Sequence, residues 1–294
     1  MVTRLEFEYF KPASIDEAVS LLAKHMGKAK PIAGGTDLLV LTKTDKVNPE
    51  CLVDISGLHE QAYIKSDGEG IKIGALTTIR DLETSTLLKE KGYILTEAAH
   101  QTGSVQVRNV ATIGGNICHG APYADMPPAL IALEAKVKIV GSKGERVTPL
   151  EECFMDTKRT ALKHDEILTE ITIPNQPPRT GATFLKLGRL SVDIALVNAA
   201  VRISLGPNKD ICENARIVMG AVAPTPIRAR KAEALVSGKA LAESLIKAAA
   251  QVAAGETKPL SDVRSSADYR REMCMVLVKH GLERALARAE TGVV

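Results

Sequence analysis

The stretch Gln106-Val107-Arg108-Asn109-Val110-Ala111-Thr112-Ile113-Gly114-Gly115-Asn116 holds one of two similar glycine pairs in this chain, and the other lies in Pro31-Ile32-Ala33-Gly34-Gly35-Thr36-Asp37. Each pair follows a short apolar step and is joined to a small polar residue, Thr36 or Asn116. Adjacent glycines reach positive φ and carry no Cβ, so backbone N–H groups can converge on an anion. Either pair alone reads equally well as a tight turn. Two such loops with polar partners point to a shared diphosphate. Neither has the GxGxxG spacing of a dinucleotide turn or the GK[ST] ending of a P-loop, which disfavours both of those folds.

Working outward, the chain divides into three segments. In residues 1–57 an extended N-terminal run leads to Ser14-Ile15-Asp16-Glu17, a capping-box signal for a helix through Leu22. Strand-like steps follow at Pro31 to Ala33 and Cys51 to Ile55. Residues 58–176 alternate as strands at Ala62 to Ile64 and Gly70 to Gly74. Helices are expected from Ile79, from Tyr93 to Thr102, and from Ala129 to Ala135 with Asp125 as its N-cap. Strands return at Lys136 to Val140 and Ile171 to Pro174. The Asn175-Gln176-Pro177-Pro178 connection marks a boundary. Residues 180–290 begin with strand-like runs (Phe184 to Leu187, Val197 to Leu205, Ala215 to Val222). They end in helical patterns over Ile227 to Ala254 and Ser266 to Arg288. Strands before helices suggest an α+β domain.

Composition excludes several functions. The chain has 294 residues, a net charge of +3 and 3% aromatics without Trp, so a nucleic-acid surface built on base stacking is not expected. Five cysteines, none at CxxC spacing, argue against a cluster or zinc held by this chain and fit a reducing compartment. A charged N-terminus and the lack of a long apolar run predict a cytoplasmic protein with no membrane span.

Three stretches carry a resemblance: PIAGGTDLLV at 31–40, LVDIS at 52–56 and QVRNVATIGGNICHGAPYADMPPALIALEA at 106–135. They resemble the FAD-binding (medium) subunit of the xanthine, carbon monoxide and nicotinate dehydrogenase family of molybdenum hydroxylases. GAVAPTPIRARKAEA (220–234) and SDVRSSADYRR (261–271) are similar to that family's C-terminal domain, so the likeness spans nearly the whole chain. It implies a two-subdomain FAD-binding fold of the vanillyl-alcohol-oxidase type, with subdomains at 1–57 and 58–176, and an α+β C-terminal domain at 180–290. It implies non-covalent FAD, held by Ile32, Ala33, Gly34, Gly35, Thr36, Asp37 and Leu38 in the first loop. Thr102, Gly103, Val107, Ala111, Thr112, Gly114, Gly115, Asn116, Cys118 and Asp125 match the second flavin-contacting stretch. Ile167 and Leu168 match apolar positions near the adenine or flavin ring, and Lys186 a basic residue close to the flavin. The resemblance also implies partners: a large subunit with the molybdenum cofactor and a small one with [2Fe–2S] clusters. Electrons would leave the flavin for an acceptor such as NAD or NADP. No protein nucleophile or general base is required, because the cofactor does the redox work.

Plainer readings stand beside these. Lys186 could be a surface lysine at a strand edge, and Asp125 or Asp37 a simple helix cap. Cys118 and His119 invite a covalent flavin, which the family does not use. His25, His59, His100, His164 and His280 lack metal-ligand spacing, and His280 reads as a packed helix residue on the stripe of Met273, Val276 and Leu277. The basic run Arg228 to Lys231 reads as a solvated face. Alternatives to the electron-transfer role are a self-contained flavin reductase or oxidase of the same fold, and a flavin-free assembly subunit. The hydroxybenzoyl-CoA reductase subtype, with its extra cysteine-rich loop, is disfavoured.

Overall fold

The computed structural model describes residues 7–207 and 211–291. The first six residues of the N-terminal run and residues 208–210 of the third segment lie outside them. The first layer is a small parallel sheet built from β1 (Glu8–Phe10), α1 (Ile15–Lys24), β2 (Ala29–Ile32), α2 (Leu38–Lys43) and β3 (Cys51–Asp54), with strand order β1-β3-β2. Ser14 caps α1 by accepting from Glu17 N at 3.1 Å, while the Glu17 carboxylate takes Ala13 N at 2.7 Å. The helix buries Ala18, Val19 and Leu22 against this sheet.

The second layer holds β4 (Ile64–Ser66), β5 (Gly70–Gly74), α3 (Ile79–Thr84), α4 (Thr86–Lys91), α5 (Tyr93–His100), α6 (Val105–Arg108), α7 (Ile113–Cys118) and α8 (Met126–Ala132). It continues through β6 (Lys136–Gly141), β7 (Gly144–Pro149), β8 (Phe154–Asp156), β9 (Arg159–Thr160) and β10 (Ile167–Pro174). Its main sheet is antiparallel in the order β4-β5-β10-β6-β7. All six helices fall between β5 and β6, so the second glycine pair sits among helices laid over the sheet.

The third part is an antiparallel sheet of β11 (Thr180–Leu187), β12 (Val197–Leu205), β13 (Ile211–Gly220) and β14 (Ile227–Arg228). It is followed by α9 (Arg230–Val236), β15 (Lys239–Ala240, paired with β13), α10 (Glu243–Gly255) and α11 (Ala267–Thr291). Every residue of β12 is buried. Val197, Ala199, Val201 and Ile203 face a core shared with α10 and α11, whereas Ala200 joins Ala182, Phe184 and Val218 in the core of the second layer. Alternation along one strand thus joins the two domains.

Polar contacts reinforce that junction with a consistent polarity. Glu97 accepts from Arg288 at 2.6 and 2.9 Å and from Phe184 N at 2.9 Å. Glu134 accepts from Arg202 at 2.9 Å and also from Arg216. Glu151 accepts from Arg228 at 3.3 Å and Arg230 at 2.5 Å. In each case the carboxylate lies before the 175–178 connection and the cation after it.

Three expectations change. The helical pattern over Ile227 to Ala254 starts late and is interrupted once, because Ile227–Arg228 and Lys239–Ala240 pair with β13 as edge strands and Gly238 turns the chain at φ +75°. The basic run is not simply solvated: Arg228 is largely buried between Glu151 and Glu233. His280 is exposed, since α11 turns Arg270, Cys274, Val278, Gly281, Leu282, Ala285 and Ala289 inward.

Candidate functional site

Loop one leaves β2 at Ile32 and turns through Gly35 at φ +69° before α2 starts. A Cβ on Gly34 would stand 1.9 Å from Val110 O and 2.6 Å from Val110 C. The backbones of the two motifs are therefore in direct contact, and only a residue without a side chain permits it. Gly34, Gly35 and Thr36 are half-buried, and among the described residues their backbone N–H groups have no acceptor. Successive free amides on a turn form a concavity for an anionic oxygen.

Loop two is different. Gly114 N–H donates to Ala75 O at 2.9 Å, Gly115 N–H to Thr112 Oγ1 at 3.1 Å, Ile113 N–H to Thr77 O at 3.0 Å, and Asn116 N–H to Thr112 O at 3.0 Å. Its amides are already used to start α7, so the reading of two like anion-binding loops is corrected. Gly114 is there for close approach, since a Cβ would lie 2.8 Å from both Ala75 Cβ and Ala75 O. What loop two leaves unpaired is a side-chain atom. Asn116 Oδ1 is buried without a partner among the described residues, which fits a ligand-bonding group.

Asp125 precedes α8 but makes no side-chain cap bond. Its carboxylate instead accepts from Lys186 Nζ on β11 at 2.7 Å and from Asn198 Nδ2 on β12 at 3.1 Å. Lys186 also donates to Gln101 O at 2.7 Å, and its side chain is only 4% exposed. Both plain readings, helix cap and surface lysine, are thereby replaced by a buried ion pair between the start of α8 and β11. Burial pushes the Asp125 carboxyl up, against the pull of the Lys186 ammonium and the Asn198 amide.

The remaining candidates fall into three groups. Thr102 is buried and donates to Ala98 O at 2.8 Å, Gly103 turns at φ +52° against Val107, and Ala111 O accepts from Ile79 N at 2.8 Å. At the end of α7 His119 Nε2 lies 3.5 Å from Asp37 Oδ1 and bridges the helix to the first loop; burial lowers the His119 pKa. Asp37, although at the start of α2, makes no side-chain cap bond. Cys118 is open to solvent on α7, yet the protein around it pushes its thiol up to about 12. Ile167 and Leu168 are each 4% exposed and committed to packing, Ile167 in the core against which Ala33 packs and Leu168 in the core against which Ala111 packs. They back the two loops. Sequence reasoning missed Gln101, Asn198, Glu83 and Arg108, whose contacts join positions far apart in the chain.

Residues 5–176 match the family described as FAD binding domain in molybdopterin dehydrogenase, and residues 182–285 match the CO dehydrogenase flavoprotein C-terminal domain. The chain belongs to this flavoprotein family. It is 37% identical to the carbon monoxide dehydrogenase medium chain of Hydrogenophaga pseudoflava, covering 96% of this chain and 98% of that one. It is 31% identical to the xanthine dehydrogenase FAD-binding subunit of Escherichia coli O157:H7, covering 96% of each. Among solved structures, carbon monoxide dehydrogenase from Hydrogenophaga pseudoflava aligns with a TM-score of 0.93 at 38% identity, covering 96% of this chain and 98% of that one. Quinoline 2-oxidoreductase from Pseudomonas putida 86 aligns at 0.90 with 30% identity, covering 97% and 98%. The chain is thus an FAD-binding medium subunit of the molybdenum hydroxylase family, and its residues fit the cofactor. Free amides in loop one suit the diphosphate, and the unpaired, buried Asn116 Oδ1 suits a ligand-bonding group. Among the described residues no helix is long and apolar enough to cross a membrane.

Proposed function

We propose that this subunit carries electrons from [2Fe–2S] clusters on a small partner subunit to an external acceptor such as NAD or NADP. In this reading a large partner subunit holds the molybdenum cofactor and oxidises the substrate, and the complex works in the cytoplasm. Bound FAD would supply the electron exchange between one-electron and two-electron partners. The chain's own part is to hold and polarise it. The observation that carries the reading is the contact of Gly34 with Val110, which sets a row of free amides beside the stretch containing Asn116. In this reading the residues inferred from the resemblance, from Ile32 to Leu38 and from Thr102 to Asp125, hold the cofactor at this junction. Lys186 has three ammonium hydrogens, of which Asp125 and Gln101 take two, leaving one for a flavin oxygen.

The test is to purify the chain with whatever accompanies it, record its visible spectrum and release the cofactor with acid. Released FAD, a larger subunit with molybdenum, a smaller one with iron, and bleaching of the flavin by NADH or NADPH without oxygen are the expected results. FAD on a lone chain that reduces its own small substrate would replace this reading with the self-contained reductase.

A further inference from the structure

Arg108 stands near the start of the second stretch and is 6% exposed. Its guanidinium reaches backward within the stretch, donating through NH1 to Gly103 O at 2.9 Å and Thr102 O at 3.2 Å. The rest of the fork is held by Glu83 on α3, with Nε to Oε2 at 2.9 Å and NH2 to Oε1 at 3.3 Å. Glu83 also accepts from Arg80 at 2.8 Å and pairs with His100 Nδ1 at 2.8 Å. Three basic partners hold its carboxyl down to about 2, so it stays ionised at any working pH.

That arrangement fixes two peptide planes. No described peptide bond is cis, so each N–H points opposite its own carbonyl. With the Thr102 and Gly103 carbonyls both turned toward Arg108, the amides of Gly103 and Ser104 face away from it. Among the described residues neither amide has an acceptor, and both residues are only half-buried. Gly103 at φ +52° makes the turn between them possible. The other end of the stretch is stitched to the same scaffold: Ile79 N–H donates to Ala111 O at 2.8 Å, and Thr78 pairs with Thr112. The segment from Ala75 to Thr84 therefore grips the stretch at both ends.

We infer that the Arg108–Glu83 pair is a positioning device, aiming the Gly103 and Ser104 amides as a paired donor toward an oxygen of the flavin. The inference rests on the flavin reading above. Arg108 does not touch the cofactor; it acts through the peptide planes it holds. A bidentate guanidinium is needed to restrain two carbonyls and a carboxylate together, and a lysine ammonium cannot reproduce that fork.

The experiment is FAD titration of the full-length apo chain, with the visible circular dichroism of the bound flavin as the second readout. Arg108→Lys and Glu83→Gln are expected to weaken FAD binding at least tenfold and to alter the flavin dichroism. Lys247→Ala, which breaks an exposed pair with Glu243 on α10 and touches no part of the clamp, is expected to leave both unchanged. A lower melting temperature for the apo variants with unchanged FAD affinity and dichroism would reduce the pair to a structural staple. Wild-type chain that takes up no FAD would overturn the flavin reading itself, and this inference with it. Hydrogen exchange of the wild-type chain needs no variant: FAD should slow exchange at Gly103 and Ser104, and unchanged exchange there, with FAD bound, would overturn the device.

Discussion

Lys186 Nζ lies 2.7 Å from Asp125 Oδ2, and the two side chains are 4% and 6% exposed. One residue belongs to the C-terminal sheet and the other to the FAD-binding domain, so this ion pair ties the two domains together. Removing one partner strands a buried charge, which costs about 3–5 kcal/mol. Lys186→Met should lose that much in urea unfolding of the apo chain. The double variant Lys186→Met with Asp125→Leu should recover a large part of it, because no unpaired charge remains. A single variant within about 1 kcal/mol of wild type would show that water reaches the pair.

Gly34→Ala tests the contact between the two motifs. The added Cβ would meet backbone rather than a movable side chain, at 1.9 Å from Val110 O. Overpacking of this kind costs about 3 kcal/mol or more, and FAD uptake should be lost with it. Gly57→Ala is the matched control, since nothing lies within 4 Å of its added Cβ. It should stay within about 0.5 kcal/mol of wild type with full FAD binding.

Local chemistry was legible in the sequence where it is decided locally. The N-cap at Ser14, the strand from Val197 to Leu205 and the importance of both glycine pairs could be read from adjacent residues, although Glu17 turns its carboxylate to Ala13 N rather than closing the expected capping box on Ser14 N. What could not be read depends on partners far along the chain. Whether the Gly114 and Gly115 amides are free is decided by Ala75 and by the geometry of Thr112, and nothing in Ile113-Gly114-Gly115-Asn116 reveals it. Lys186 looks like any lysine near a strand end until Asp125, 61 positions earlier, is folded against it. Arg108 was visible as a residue but not as a clamp, because its carboxylate partner lies 25 positions away on another helix. The Arg228 and Ala240 edge strands were hidden for a related reason: two-residue pairings leave no periodicity to detect.

Glu83 gives a pH-dependent prediction with a definite sign. Its pKa falls from an ordinary 4.5 to about 2 in the folded chain, held there by His100, Arg80 and Arg108 against the opposing effect of burial. A depressed carboxylate pKa stabilises the fold fully above the unfolded value and loses that contribution as pH falls toward the folded one. The stability gap between wild type and Glu83→Gln should therefore be constant above about pH 5.5 and shrink between pH 4.5 and 2. A gap that is flat through this range in urea unfolding would mean that the carboxylate charge contributes nothing.

Cys118 is the described cysteine open to solvent, and its position beside the second loop makes its reactivity informative. Thiolate is the reactive form, and although the residue as a whole is exposed, desolvation of its sulfur lifts the Cys118 thiol to about 12. At pH 8 the thiolate fraction is then on the order of 10⁻⁴, compared with about a quarter for an unperturbed cysteine. Alkylation of the apo chain by iodoacetamide, followed by mass spectrometry, should be roughly a thousandfold slower than for free cysteine. Bound FAD should slow it further if the thiol faces the cofactor. A suppressed nucleophile at this position predicts no covalent bond between Cys118 and the flavin, so acid should release all of it. Rapid labelling at neutral pH, or flavin retained on the acid-precipitated chain, would contradict an inert thiol and reopen covalent attachment at Cys118.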